Sequence, residues 1–146
     1  MATKKNTSSK TSLLQEKTLQ LLNQQISAEG HACAYYRAMA SWCTVQGYDK
    51  SAKFLHQHAE EENEHMMKIF NYVNEADGHA LQPEITNIRY HFSSLREVFE
   101  TALQHEMKVT KSIHDIVDHC FQIKDYATFN FLQWFVAEQF EEEVIC

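Results

Sequence analysis

Pro83 is the only proline among 146 residues and only three glycines accompany it, so the sequence holds very few points at which a helix must stop. Between those points apolar residues recur at steps of three and four, the period of an amphipathic helix. Leu, Gln, Glu, Ala, Lys and Met, all good helix formers, recur throughout. The fold class expected is all-α. A chain of this length with 44% hydrophobic and 12% aromatic residues can build one domain around a sizeable core.

Local signals divide the chain. Residues 1–11, MATKKNTSSKT, carry no large apolar side chain after Met1 and read as a flexible N-terminal tail. The domain then spans 12–146, with a first helix over about 12–44 that ends before the Gly47 turn. A second helix is expected over about 50–77, with Asp49 as its N-cap and Gly78 as its stop. Ser94 and Glu97 form a capping box that opens a third helix over about 95–121, and Asp125 caps a fourth over about 126–146. Residues 79–93 contain Pro83, show no period, and are long enough to travel the length of a bundle. Two antiparallel hairpins joined by a long crossover make a four-helix bundle.

Several function classes are disfavoured. Asp and Glu outnumber Lys and Arg twenty to thirteen, for a net charge of -7, which argues against nucleic acid as a partner and mildly favours cations. No apolar run approaches a membrane span and the N-terminus lacks the apolar block of a signal peptide, so no membrane is expected and the location expected is cytoplasmic. Cys33, Cys43, Cys120 and Cys146 show no CxxC spacing, which disfavours a disulfide framework or a zinc site. Cys33 reads as a small buried hydrophobe.

Each inward stripe is broken by a polar residue. The first helix reads Leu22, Ile26, Glu29, Cys33, Tyr36, Ala40, and the second reads Leu55, Ala59, Glu62, Met66, Ile69, Val73, with His65 one turn after Glu62. The third reads Leu95, Phe99, Ala102, Glu106, Val109, Ile113, Ile116, Cys120, and the fourth Leu132, Phe135, Gln139, Glu142, Cys146. An unpaired buried carboxylate costs several kcal/mol. Four at one place need cations. Glu29 and Glu62 stand about equally far from the first turn, and Glu106 and Gln139 about equally far from the last, so the defects share one level of the bundle.

Carboxylates with one imidazole form a hard, oxygen-rich set suited to iron or manganese rather than structural zinc. A central Glu62 can bridge two metals. Glu62-Asn63-Glu64-His65 is the Glu-x-x-His of dinuclear bundles. The fourth helix offers Gln139-Phe140-Glu141-Glu142 instead of a second such motif, which makes the two metal positions unequal. The other histidines, among them His31, His58 and His105, read as helix-surface or hydrogen-bonding residues.

LNQQISAE (22–29), HAEEENEH (58–65), QHE (104–106) and TFNFLQWFVAEQFEEE (128–143), in this order and separation, resemble the prokaryotic non-haem ferritins over nearly all of residues 13–146. That resemblance implies a ferroxidase centre for two Fe ions, with Glu29, Glu62 and His65 around the first and Glu62, Glu106 and Glu142 around the second. Gln139 would stand beside them, and Glu29, Glu62, His65, Glu106 and Glu142 would be the catalytic set. It further implies a third, outlying iron at Glu61, Glu138, Glu141 and Glu142. Tyr36 and Trp134 match aromatics that donate electrons or hydrogen-bond to ligands. The function implied is an iron storage subunit that oxidises Fe(II) with dioxygen, without haem, and delivers ferric oxide to the cavity of a 24-subunit homo-oligomeric cage.

Two rival families lack their marks here. A haem-carrying bacterioferritin would have histidine where Glu142 stands, and a rubrerythrin would have paired Glu-x-x-His motifs and often a four-cysteine module. Ferritins of the resembling type continue the fourth helix and usually add a short fifth, so the chain reads as a truncated product or a fragment. The alternative function is therefore a di-iron metal-binding or oxidoreductase bundle that does not form a storage cage.

Overall fold

The computed structural model describes residues 13–146, and the tail expected over residues 1–11 lies outside them. Among the described residues all regular structure is helical, in four helices: α1 Glu16–Gln46, α2 Asp49–Glu75, α3 Leu95–Gln122 and α4 Tyr126–Ile145. Residues 76–94 form the long crossover between two antiparallel hairpins. The bundle is the one the helical period implies.

The ends show where local chemistry set a boundary. Gly47 ends α1 in the left-handed region at φ 85°, a conformation cheap only for glycine. At the end of α2 the left-handed residue is Asp77 (φ 61°), not Gly78. Gly78 serves a different need, because a Cβ there would lie 2.9 Å from both Leu19 Cδ1 and Val73 Cγ1. Asp49 is the first residue of α2 and its side chain caps nothing. Both remaining caps form: the Ser94 hydroxyl accepts from the Glu97 amide at 3.1 Å and Asp125 Oδ1 from the Thr128 amide at 3.0 Å. α1 starts at Glu16, four residues later than the apolar period suggests, after an N-cap Gln15 with no side-chain cap bond.

The crossover is tied to α1. Asn23 donates to the His79 carbonyl at 3.0 Å and accepts from the Leu81 amide at 2.9 Å. Gly30 lets Pro83 approach, since a Cβ on Gly30 would stand 2.8 Å from the proline ring. Helix α1 packs closely on α2 and α3, and α3 on α4, but among the described residues no Cα of α2 comes within 8 Å of one in α4. Side chains bridge that wider gap, as where the Tyr72 and Phe131 rings stack at 4.0 Å.

The apolar core falls into two clusters. One includes Leu22, Ile26, Ile69, Ile113, Leu132 and Phe135, and the other Met39, Ala40, Leu55, Ala59, Val98 and Ala102. Between them lies a layer of buried polar side chains from all four helices. Leu95 and Phe99, at the far end of the second cluster, are half-buried. The four cysteines are free, three of them buried.

Candidate metal centre

The polar layer draws Glu29 from α1, Glu62 and His65 from α2, Glu106 from α3, and Gln139 and Glu142 from α4, each at most 3% exposed. The helical repeat places them. Glu62 and His65, one turn apart, face the same way, and His65 Nδ1 lies 3.2 Å from Glu62 Oε2 and 4.0 Å from Glu29 Oε2. Glu29, Glu62 and His65 form one group of facing donor atoms, all within 4.8 Å of one another.

A second group within the same limit contains Glu62, Glu106 and Glu142, so Glu62 belongs to both. It also contains His58. That histidine, read from sequence as a helix-surface or hydrogen-bonding residue, is 3% exposed and hydrogen-bonds, with Nε2 against Glu142 Oε2. The signal was present: Leu55, His58, Glu62 and His65 follow steps of three, four and three, the same inward walk that located Glu62. Reading Ala59 as the stripe residue hid it, although both side chains are buried.

Other polar groups fix the carboxylates. Tyr36 donates to Glu106 Oε1 at 2.6 Å and Gln139 Nε2 to Glu106 Oε2 at 3.1 Å. Gln139 Nε2 also lies 3.3 Å from Thr110 Oγ1. Glu29 Oε1 accepts from Gln25 Nε2 at 3.2 Å, and Gln25 in turn accepts from Ser112 Oγ at 2.6 Å. Trp134 meets the His65 ring edge-on, with centroids 5.4 Å apart, while its own face carries Lys68 Nζ at 3.5 Å.

What is left unsatisfied defines the chemistry. Glu29 Oε2, Glu62 Oε1 and Gln139 Oε1 are buried without a hydrogen-bond partner, an arrangement that ordinarily costs free energy. Burial pushes the Glu29 carboxyl well above its usual range and the facing Glu62 adds to this. Glu62 is raised in the same direction, again by burial first, with Glu106 and Glu142 adding repulsion. Burial also keeps Tyr36 a neutral phenol able to donate its proton to Glu106. For His58, burial favours the neutral ring, but the Glu142 carboxylate outweighs it and raises the imidazole. Divalent cations would satisfy the orphaned oxygens and relieve the repulsion at once. The donor set fits hard metal ions.

The outlying acidic group is only partly assembled. His65 Nε2 stands 3.5 Å from Glu138 Oε1, and His65, Glu138 and Glu142 form a third group of facing donors. Glu61 and Glu138 line one surface pocket beside Trp134. Glu141 is exposed and joins none of these groups, although its charge reaches Glu138. Among the described residues no helix is long and apolar enough to cross a membrane.

Comparison with known proteins agrees with this architecture. A family model for the ferritin-like domain matches residues 19–145. The chain is 44% identical to a bacterial non-heme ferritin of Campylobacter jejuni over 91% of its own length and 80% of that protein's. It is 38% identical to one from Staphylococcus aureus, over 91% of this chain and 80% of the other. Among solved structures, a ferritin of Chlorobium tepidum superposes with a TM-score of 0.89 at 43% identity, covering 91% of this chain and 81% of that one. An open pore ferritin of Archaeoglobus fulgidus also reaches 0.89, at 38% identity and the same coverage. Family model, identity and superposition together place this chain in the ferritin-like family, among the prokaryotic non-haem ferritins.

Proposed function

We propose that this chain is an iron storage subunit whose polar layer binds two Fe(II) ions and oxidises them with dioxygen. The observation that supports it most is the Glu62 carboxylate, shared by two groups of facing donors with one buried oxygen left without a partner. Glu29, Glu62 and His65 hold one Fe(II), and Glu62, Glu106 and Glu142 the other. Two adjacent Fe(II) ions give one electron each to one dioxygen, which takes up two protons and is reduced to hydrogen peroxide, leaving two Fe(III). Ferric product leaves for the cavity of a homo-oligomeric cage.

The chain's residues make this reaction favourable in stated ways. Negative charge concentrated in a water-poor layer stabilises Fe(III) over Fe(II), because the higher charge gains more from each carboxylate. The hydrogen bonds from Tyr36 and Gln139 hold Glu106 in place before metal arrives, so little reorganisation accompanies oxidation. Glu138, partly exposed and beside His65, offers a carboxylate between the centre and the surface pocket. Occupation of an outlying third site by iron, with Glu61, Glu138, Glu141 and Glu142, belongs to this proposal.

Mixing the protein with Fe(II) and oxygen in a stopped-flow instrument tests the reading. Oxidation faster than in buffer, lost in Glu62→Ala, is expected. A buffer-rate trace in the wild type sinks the oxidase reading. Light scattering tests storage separately: a large closed assembly supports it and a monomer or dimer refutes it.

A further inference from the structure

Building on the dinuclear reading, we infer that His58 is itself a metal ligand, giving the second position of the centre the imidazole that helix α4 lacks. Its ring is fixed, lying 4.7 Å from the Tyr36 ring and 5.1 Å from that of Phe54. So held, Nε2 points into the group of donor atoms it shares with Glu62, Glu106 and Glu142, all within 4.8 Å. Nitrogen and oxygen ligands sit about 2.0–2.2 Å from such an ion, so neighbouring donors at right angles stand about 3 Å apart. A small opening of the His58–Glu142 contact therefore places an ion where a proton now bridges them.

The two positions then correspond. Glu29, Glu62 and His65 make one, and His58, Glu62, Glu106 and Glu142 the other, with one imidazole each. Both imidazoles come from α2, about one turn to either side of the shared Glu62. With His58 as a ligand, the Gln139-x-x-Glu142 form of α4 leaves the second position supplied with nitrogen from α2, while the two positions still differ in their number of donors.

The competing role for His58 is to orient Glu142 through a hydrogen bond. Metal preference separates the two. An imidazole raises affinity for Co(II) over Mn(II), following the order of divalent ions with nitrogen donors, whereas losing an orienting bond weakens both ions alike. The test is anaerobic equilibrium dialysis of the full chain against Co(II) and, separately, Mn(II), in wild type and His58→Gln. Glutamine can still donate to Glu142. We expect two Co(II) per wild-type chain, and in His58→Gln an intact first position with the second weakened for Co(II) by more than the roughly 10–100-fold that lost outer partners cost. The loss for Mn(II) should be several-fold smaller. Equal losses for both ions, or an unchanged second position, overturn the assignment. Should His58→Gln fail to fold, cobalt X-ray absorption of the wild type decides: one imidazole per cobalt supports it, and one per two cobalts overturns it. A wild type that binds fewer than two Co(II) overturns the dinuclear reading and this inference with it.

Discussion

The Tyr36 hydroxyl donates to Glu106 Oε1 at 2.6 Å across 70 residues of sequence, fastening α1 to α3 at the level of the buried polar layer. Burial keeps this phenol protonated and so able to donate. Tyr36→Phe leaves the ring packing and removes one donor, so Glu106 gains freedom to rotate. Metal affinity at the second position should fall about tenfold, read by anaerobic titration. An unchanged binding curve would show that Gln139 and packing position Glu106 without Tyr36.

If Glu62 bridges two metals as proposed, it stabilises the metal-bound protein at the expense of the metal-free one. Glu62→Gln removes a buried carboxyl that must either keep a proton or carry charge beside Glu106 and Glu142, and the metal-free variant should be more stable than wild type in urea by about 1 kcal/mol or more. Added Co(II) should reverse the ranking: a ligand at 100 times its Kd contributes about 2.7 kcal/mol, and only wild type can gain it fully. A variant less stable than wild type in the absence of metal would contradict this.

The same repulsion sets a pH trend. Glu29 and Glu62 are both pushed above the ordinary value of 4.5, so above that pH the folded, metal-free chain keeps protons that the unfolded chain releases. Stability from these groups is therefore complete below about pH 4.5 and declines as pH rises towards their folded values. A double Glu29→Gln, Glu62→Gln variant should show a flatter profile from pH 5 to 7. Parallel profiles for the two proteins would refute the trend.

At Gly30 two effects compete. Alanine gains about 1 kcal/mol in helix propensity, but its Cβ would meet Pro83 Cγ at 2.8 Å and Met66 Sδ at 3.1 Å. Overpacking of this kind costs about 1–3 kcal/mol, and the rigid proline ring yields less readily than the methionine. Gly30→Ala should be destabilised by about 1 kcal/mol, with the crossover more susceptible to proteolysis. Equal or greater stability would mean that the crossover moves aside freely.

The helices and the interrupted stripes were legible because both follow from a period that three glycines and one proline scarcely disturb. Glu29, Glu62, Glu106, Gln139 and Glu142 could be found since each breaks an otherwise apolar walk, and all five are buried in the structure. His58 was missed for a physical reason. A histidine beside an acidic run has the composition of a solvated helix face, and only its position one turn before Glu62 reveals that it turns inward. Nor could composition distinguish the two residues that end α2, where Asp77 adopts the left-handed backbone and Gly78 makes room for Leu19 and Val73. Which acidic side chains join the outlying group depends on α4's rotation about its axis, and there Glu138 faces His65 while Glu141 faces solvent.

The two-part core makes the polar layer a seam across the molecule. Hydrogen bonds and crowded carboxylates join the apolar halves across it, and without metal either half is expected to open at less than the cost of opening both. Metal bound there as proposed would tie all four helices through a single charged cluster and merge the halves into one cooperative unit. Amide hydrogens on the two sides of the seam should exchange at separate rates in the empty protein and at a common, slower rate once metal is bound. Taking up iron and hardening the scaffold would then be a single event.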